Sequence, residues 1–369
     1  MRAFVITGPG RAEVQEVEPP VPGEGEVVVE VERAGVCGTD MEFYSGAMTY
    51  LHTGEARYPV RIGHEWSGTV REVGGGVDPV WVGRRVTGDT MLGCGHCARC
   101  GSGRQHLCAD RYEIGVRNGW PGALAERLPM PVRALQPLPE AVDPVLGALV
   151  EPGGNALRAV RAAALGPGDR LLIIGPGTIG LLAALMAAAQ GAEVHLLGLT
   201  DRSLDFARSL GFTRTWTTPS SASRDASTAP PSADRDVAKG LDVAAGLDAV
   251  MGLQAGFDAV IDASTGSGSP ALALDLVEPG GRVVFIGLSA EPSRLDTRRM
   301  VLKDVTAVGV LSASGGLAGT IDLYATGRVD PRPLIAATVS LDEAATVLAG
   351  ERRPGWGAAP KIHVDPRLP

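Results

Sequence analysis

Two hydrophobic periodicities divide this chain. Over residues 1–150 the apolar positions come in short runs broken by turn residues. Residues 26–31 (Glu-Val-Val-Val-Glu-Val), 69–73 and 85–87 have strand length, and Gly74-Gly75-Gly76 and Gly83 punctuate them. A β-rich unit is expected there. Beyond residue 150 the pattern alternates. Helical stretches are expected at 156–164, 179–190, 203–210 and 271–277, and apolar strands at 170–174, 193–197, 257–262, 282–287 and 305–311. Strand alternating with helix predicts a parallel sheet covered on both faces. Residues 321–369 hold a helix or two and end on the strand-like Lys361-Ile362-His363-Val364, which is expected to return to the first unit.

Two segments need separate treatment. Residues 217–235 are rich in Ser, Ala, Thr, Pro and Asp and have little to bury, so a surface loop is expected. Val237, Leu241, Ala244, Leu247 and Met251 then recur at helical intervals, and the whole insert 217–252 reads as surface decoration. Residues 171–192 carry no charge and are long enough to cross a bilayer. Gly175, Pro176, Gly177 and Gly180 interrupt them, so a buried strand, a tight turn and a buried helix explain the run better.

Composition excludes more than it selects. Of 369 residues, 44% are hydrophobic and 21% charged, as in ordinary globular proteins. A formal charge of −8 argues against nucleic-acid or anionic-membrane partners. The N-terminal Met1-Arg2-Ala3-Phe4-Val5 enters a strand-like run at once and does not read as a signal peptide, so a cytoplasmic location is expected. In that setting five cysteines point to metal binding or catalysis ahead of disulfides.

Four of them form Cys94-x₂-Cys97-x₂-Cys100-x₇-Cys108. Four thiolates this close can surround one tetrahedral Zn²⁺ with no open position, which makes a structural role the expected one. An iron–sulfur cluster or two disulfides are the alternatives. The stretch Gly175-Pro176-Gly177-Thr178-Ile179-Gly180 follows an apolar strand and opens an apolar helix. In that context the glycines let backbone N–H groups approach a pyrophosphate at a helix N-terminus, which predicts a dinucleotide site. The acid that would grip the adenosine ribose is missing, for Gly198 stands there. Thr200 and Arg202 can instead bind a 2′-phosphate, favouring NADP, while Asp201 keeps NAD open. Finally, His64 and Glu65 offer a nitrogen and a carboxylate side by side, and Cys37 ends a strand-like run before Gly38-Thr39-Asp40. In extended backbone Cys37 and Thr39 would face one side, whereas His64 and Glu65 could ligate together only if the chain bends. Glu151 is a further candidate ligand.

Together these residues resemble the zinc-dependent medium-chain dehydrogenases, the alcohol and polyol dehydrogenase superfamily. Gly63-His64-Glu65-x₂-Gly68-x₅-Gly74-x₂-Val77 fits that family's zinc signature, and the Cys37 motif, the four-cysteine lobe and the Gly175 turn follow in its order. The resemblance implies an α/β chain: a GroES-like β-rich catalytic domain at 1–151 and 313–369, with its zinc lobe at 93–109. It also implies a Rossmann dinucleotide-binding domain at 152–312, interrupted by the insert, and a cleft between the two. It makes Cys37 and His64 catalytic zinc ligands, Glu65 a ligand or exchanging near-ligand, and Glu151 a residue that ligates the zinc or holds its water. Two zinc ions per chain are implied, one catalytic and one structural.

Glu151-Pro152 is similar to the sorbitol, glucose and threonine dehydrogenase branches. The run 151–156 looks especially like the threonine enzymes, and Gly63-His64-Glu65-Trp66-Ser67-Gly68 like cyclitol and aminocyclitol dehydrogenases. Glu42 stands where the family often has a proton-relay histidine, so either its carboxylate takes the proton or the relay ends at Thr39 and water. The implied reaction moves hydride between NAD(P) and the secondary alcohol or ketone of a small hydroxylated molecule: a polyol, sugar, cyclitol or aminocyclitol. A threonine-type amino-alcohol, a simple secondary alcohol and an inactive NADP-binding scaffold are the alternatives. The expected assembly is a homodimer or homotetramer, without nucleic acid or membrane.

Overall fold

The computed structural model describes residues 1–217 and 256–369, so most of the 217–252 insert and its expected helix lie outside the described residues. The chain forms two compact units, Met1–Gly154 with Ser312–Pro369, and Asn155–Leu311.

The first unit is built on a seven-stranded sheet. Its path runs Ile335–Val339, Lys361–Val364, Glu26–Gly35, Glu65–Val73, Arg85–Gly88 and Leu135–Pro137, with Arg127–Pro131 also pairing to Glu26–Gly35. The Ile335–Val339 and Lys361–Val364 pair is parallel and the remaining pairs are antiparallel. Val27, Val29 and Val31 alternate along the central strand into a core with Phe4, Ile6, Phe43, Ile62 and Trp66. The sheet also depends on Gly68, where a Cβ would lie 2.1 Å from the Glu30 carbonyl oxygen of the neighbouring strand. Phe43 and Trp66 are fully buried in this core.

The second unit is a six-stranded parallel sheet. Counted along the chain, its strands lie in the spatial order 3-2-1-4-5-6: Thr215–Thr217, Glu193–Gly198, Arg170–Ile174, Phe257–Asp262, Val277–Phe285 and Thr306–Gly309. Leu171, Leu172, Ile173 and Ile174 are all buried, as a sheet covered on both faces requires. The order reverses between Arg170–Ile174 and Phe257–Asp262, and ligands of such sheets bind outside the carboxyl ends of the strands at that reversal. The uncharged run from 171 divides into that strand and the helix Thr178–Ala188. Among the described residues no helix is long and apolar enough to cross a membrane.

Two boundaries differ most from expectation. The expected 156–164 helix begins earlier and spans Val150–Ala163, because Pro152 falls in its first turn, where a missing N–H costs nothing. The expected 282–287 strand begins at Val277 and carries a bulge. Phe257 pairs with Val277 and Ala259 with Arg282, and Gly280 at φ +77° turns the excess chain.

Candidate active site

The ligand atoms of Cys37, His64 and Glu65 all lie within 4.8 Å of one another. Strand register brings them together, since Gly35 pairs with Glu65 and Ala34 with Trp66, which sets the end of one strand beside the start of the next. The chain turns at Gly63, φ +99°, immediately before His64. A side chain there would meet the Leu124 backbone nitrogen at 2.8 Å. This turn supplies the bend that adjacent ligands need.

Asp40 ties the corner. Its carboxylate is fully buried and accepts from the Cys37 N–H at 2.8 Å and the Gly63 N–H at 3.2 Å. It also stands 3.8 Å from His64 Nδ1, which has no hydrogen-bond partner of its own. Burial pushes the Asp40 carboxyl up, opposed by the nearby imidazole. Burial alone would lower His64, but Cys37, Asp40 and Glu151 outweigh it and hold the imidazole well above its usual pKa. The corner therefore attracts positive charge. A soft sulfur, an imidazole and carboxylates around it suit Zn²⁺.

Glu65 is held from the other side. Both of its oxygens accept from Lys361 Nζ, at 2.8 and 2.7 Å, and the same ammonium donates to the Val36 carbonyl at 2.9 Å. Lys361 is 3% exposed, and the Glu65 charge keeps it protonated against the effect of burial. Glu151 is buried in the first turn of Val150–Ala163, where the helix dipole favours a carboxylate. It lies outside the 4.8 Å cluster but close enough to act electrostatically on His64. Thr39 departs from the extended-backbone expectation. Cys37 caps a helix, Gly38–Ser45, so Thr39 sits half-buried in its first turn and Glu42 lies exposed further along it. Sequence reasoning assigned no role to Asp40 or Lys361. A lone lysine inside an apolar four-residue strand was the available signal for the second.

The other cysteines also converge, and none is disulfide-bonded. Cys94 and Cys100 sulfurs are 3.9 Å apart, as are those of Cys97 and Cys108. A tetrahedron of ~2.3 Å Zn–S bonds has edges of about 3.8 Å, so the lobe fits a closed zinc site. The His96 and Cys97 N–H groups lower the Cys94 thiol to about 6, whereas burial raises Cys100 to about 12. His106 is buried in the lobe but is not one of the cluster.

In the second unit Gly175 takes φ +95°, and a Cβ on it would sit 3.1 Å from the Ala263 backbone. Gly177 caps Thr178–Ala188 with open space above it, and a Cβ on Gly180 would be 2.0 Å from the Gly175 carbonyl. Pro176, Thr178 and Ile179 are half-buried along this turn, which leaves the strand beside the sheet's reversal point. Gly198 ends the next strand, buried. Thr200 caps Asp201–Ser209 by accepting from the Ser203 N–H at 3.2 Å. Asp201 pairs with Arg208 at 3.2 Å. Arg202 is exposed, and no ion pair or hydrogen bond engages its side chain among the described residues.

A two-unit chain with a Cys-His-Glu corner, a four-sulfur lobe and a glycine turn at a sheet reversal defines the class of zinc-dependent nucleotide-linked oxidoreductases. Residues 23–140 match the alcohol dehydrogenase GroES-like domain, and 178–326 match the zinc-binding dehydrogenase domain. The L-threonine 3-dehydrogenase of Saccharopolyspora erythraea is 34% identical over 84% of this chain and 83% of its own. The probable D-xylulose reductase A of Aspergillus clavatus is 29% identical over 86% and 84%. A zinc-binding dehydrogenase from Sinorhizobium meliloti, solved bound to NADP, superposes with TM-score 0.81 at 28% identity over 99% of both chains. The chain belongs to the zinc-dependent medium-chain alcohol and polyol dehydrogenases. It is a zinc-dependent, NAD(P)-linked oxidoreductase acting on alcohols.

Proposed function

We propose that this enzyme interconverts a secondary alcohol and its ketone on a polyol, sugar, cyclitol or aminocyclitol, with NADP as its preferred partner. The observation that carries the reading is the Cys37-His64-Glu65 corner with Glu151 behind it. Cys37 and His64 would hold the catalytic zinc, with Glu65 and Glu151 as direct or exchanging carboxylates, and Cys94, Cys97, Cys100 and Cys108 would hold the structural one. Bound there, zinc would supply Lewis acidity to the substrate oxygen and a nicotinamide cofactor would supply the hydride chemistry. Asp40 acts on His64 by its charge, 3.8 Å from Nδ1, and Lys361 restrains Glu65. Thr39, at the first turn of its helix, takes the substrate's hydroxyl proton and passes it outward to water or to Glu42, which is exposed on the same helix.

Three features support NADP. Gly198 offers no carboxylate to a ribose, Asp201 is engaged by Arg208, and Arg202 is unpaired among the described residues. Gly175, Pro176, Gly177, Thr178, Ile179 and Gly180 would carry the pyrophosphate, and Thr200 and Arg202 the 2′-phosphate. Arg202→Gln should raise KM for NADP⁺ about tenfold and barely move KM for NAD⁺, as loss of one charge-assisted phosphate contact implies. Equal changes for both cofactors would remove Arg202 from the site.

A second reading, an amino-alcohol such as threonine, is favoured by the 34% identical relative and by Glu151-Pro152-Gly153-Gly154-Asn155. Turnover on polyols, aminocyclitols and L-threonine, each with NAD⁺ and NADP⁺, separates the two. Turnover of none of them would leave the simple-alcohol reading if two zinc ions are bound per chain, and the scaffold reading if only one is. Self-association is supported by the edge of Thr306–Gly309, unpaired among the described residues, and by the exposed Leu288, Val301 and Leu302 of the same unit. Five unpaired cysteines suit a reducing, cytoplasmic setting.

A further inference from the structure

A cavity of about 580 Å³ opens in the Met1–Gly154 unit, and none of the four residues proposed for the catalytic zinc lines it. Its walls are three chain segments, from the N-terminal hairpin, residues 54–61 and residues 116–121. They are tied to one another through the backbone. Ile6 and Val60 exchange hydrogen bonds at 2.9 Å, Asn118 N–H donates to the Glu55 carbonyl at 2.8 Å, and Gly122 N–H donates to the Arg61 carbonyl at 2.9 Å. The cavity is therefore preformed, and its volume suits a small metabolite.

Its charge is unbalanced. Arg57 and Arg61 both line it, and among the described residues neither side chain has an ion pair or a hydrogen bond. Glu55 is the single carboxylate in the lining, and it is already engaged by Arg117 at 2.5 Å and by the Thr53 hydroxyl at 2.8 Å. Arg61 is half-buried, and burial lowers its pKa. Desolvating a guanidinium without a partner is unfavourable, and a carboxylate or phosphate bound in its planar fork offsets that cost. A cationic hollow on a chain of net charge −8 is a local exception that selects for anions.

We propose that this cavity binds a small organic anion, a phosphate monoester or a carboxylate. Arg61 grips the charged group, Arg57 adds a second cation at the exposed side, and the carbon skeleton rests on Val5, Val60 and Trp120. This is a second ligand site, independent of which alcohol the enzyme oxidises.

The test is calorimetric titration of the zinc-loaded full chain with methyl phosphate and with succinate at constant ionic strength, with succinamide as the uncharged control; none of the three is an alcohol. Saturable binding of at least one anion, and none of succinamide, is expected. Arg61→Met should weaken it about tenfold or more, and Arg61→Lys and Arg57→Gln about threefold each, by loss of charge-assisted contacts. Arg202→Gln, altered at the proposed cofactor contact, should bind the anion as the parent does. No saturable binding of either anion overturns the proposal. So does unaltered binding by an Arg61→Met chain that keeps the parent's melting temperature and zinc content. If that variant does not fold, unaltered binding by both Arg61→Lys and Arg57→Gln overturns it. Loss of binding in Arg202→Gln alone moves the anion to the cofactor turn and also defeats it.

Discussion

The cysteine lobe and the Cys37-His64-Glu65 corner belong to one unit and both present zinc donors, yet they are assembled in opposite ways. The lobe draws four sulfurs from the fifteen residues 94–108 and has little apolar core of its own, so local loops and the metal must hold it. The corner draws its donors from the ends of two paired strands and is steadied by side chains both near and far in sequence. Asp40 bridges Cys37 to Gly63, and Lys361 reaches Glu65 across 296 positions of sequence. In the lobe a bound metal would organise the chain, whereas in the corner the fold organises the donors. A closed four-thiolate shell has nothing left to offer a substrate. A corner with two carboxylates of unequal commitment does.

This contrast can be broken most directly by removing one ligand from each site. Cys37→Ala should lower kcat by about a thousandfold or more, as loss of the metal's transition-state role implies, with a near-parent melting temperature and one zinc ion retained. Cys100→Ser should cost stability first. Structural zinc in small peptides is worth roughly 10–16 kcal/mol of apparent binding, so the lobe should become protease-sensitive and one zinc ion should be lost. Limited proteolysis and metal analysis read both variants, and the same loss of stability in each would erase the distinction.

Lys361→Met comes next. It leaves the Glu65 carboxylate buried without its cation, which should cost about 3–5 kcal/mol in urea unfolding. The double change Lys361→Met with Glu65→Gln should recover part of that loss. A single variant as stable as the parent would mean that Glu65 is not anchored through this pair.

The smallest effect expected is a pH slope from His363, in the same strand as Lys361. It is wholly buried and neither ring nitrogen is bonded. Burial, then the Lys361 and Arg33 charges, push it down to about 3 from an ordinary value of 6.5. Between those pH values the unfolded chain binds a proton that the folded chain refuses. Its contribution is therefore complete above about pH 6.5 and is lost progressively as pH falls toward 3. His363→Gln should flatten the urea midpoint between pH 7 and pH 5, and an unchanged slope would assign the acid sensitivity elsewhere.

The readable parts of this molecule were those whose chemistry is local. Four cysteines at fixed spacing, and glycines between an apolar strand and an apolar helix, carry their meaning within a few residues. The structure shows the close approaches that explain Gly175 and Gly180. Alternation of strand and helix anticipated a parallel sheet but not the bulge after Val277. Cys37 and Thr39 do not share an extended face, because the strand ends at Gly35 and Cys37 already caps the helix Gly38–Ser45.

By itself, then, the amino-acid order determined the donor types, the nucleotide turn, the α/β class and the missing ribose acid at Gly198, because each depends on residues that are neighbours in the chain. Tertiary structure alone decided that Glu65 is shared with a buried lysine, that Asp40 joins Cys37 to Gly63, and that Arg61 faces a hollow with no carboxylate to spare. Pairings of that kind depend on strand register and on which charges burial isolates, and those are properties of the packed chain rather than of any segment of it.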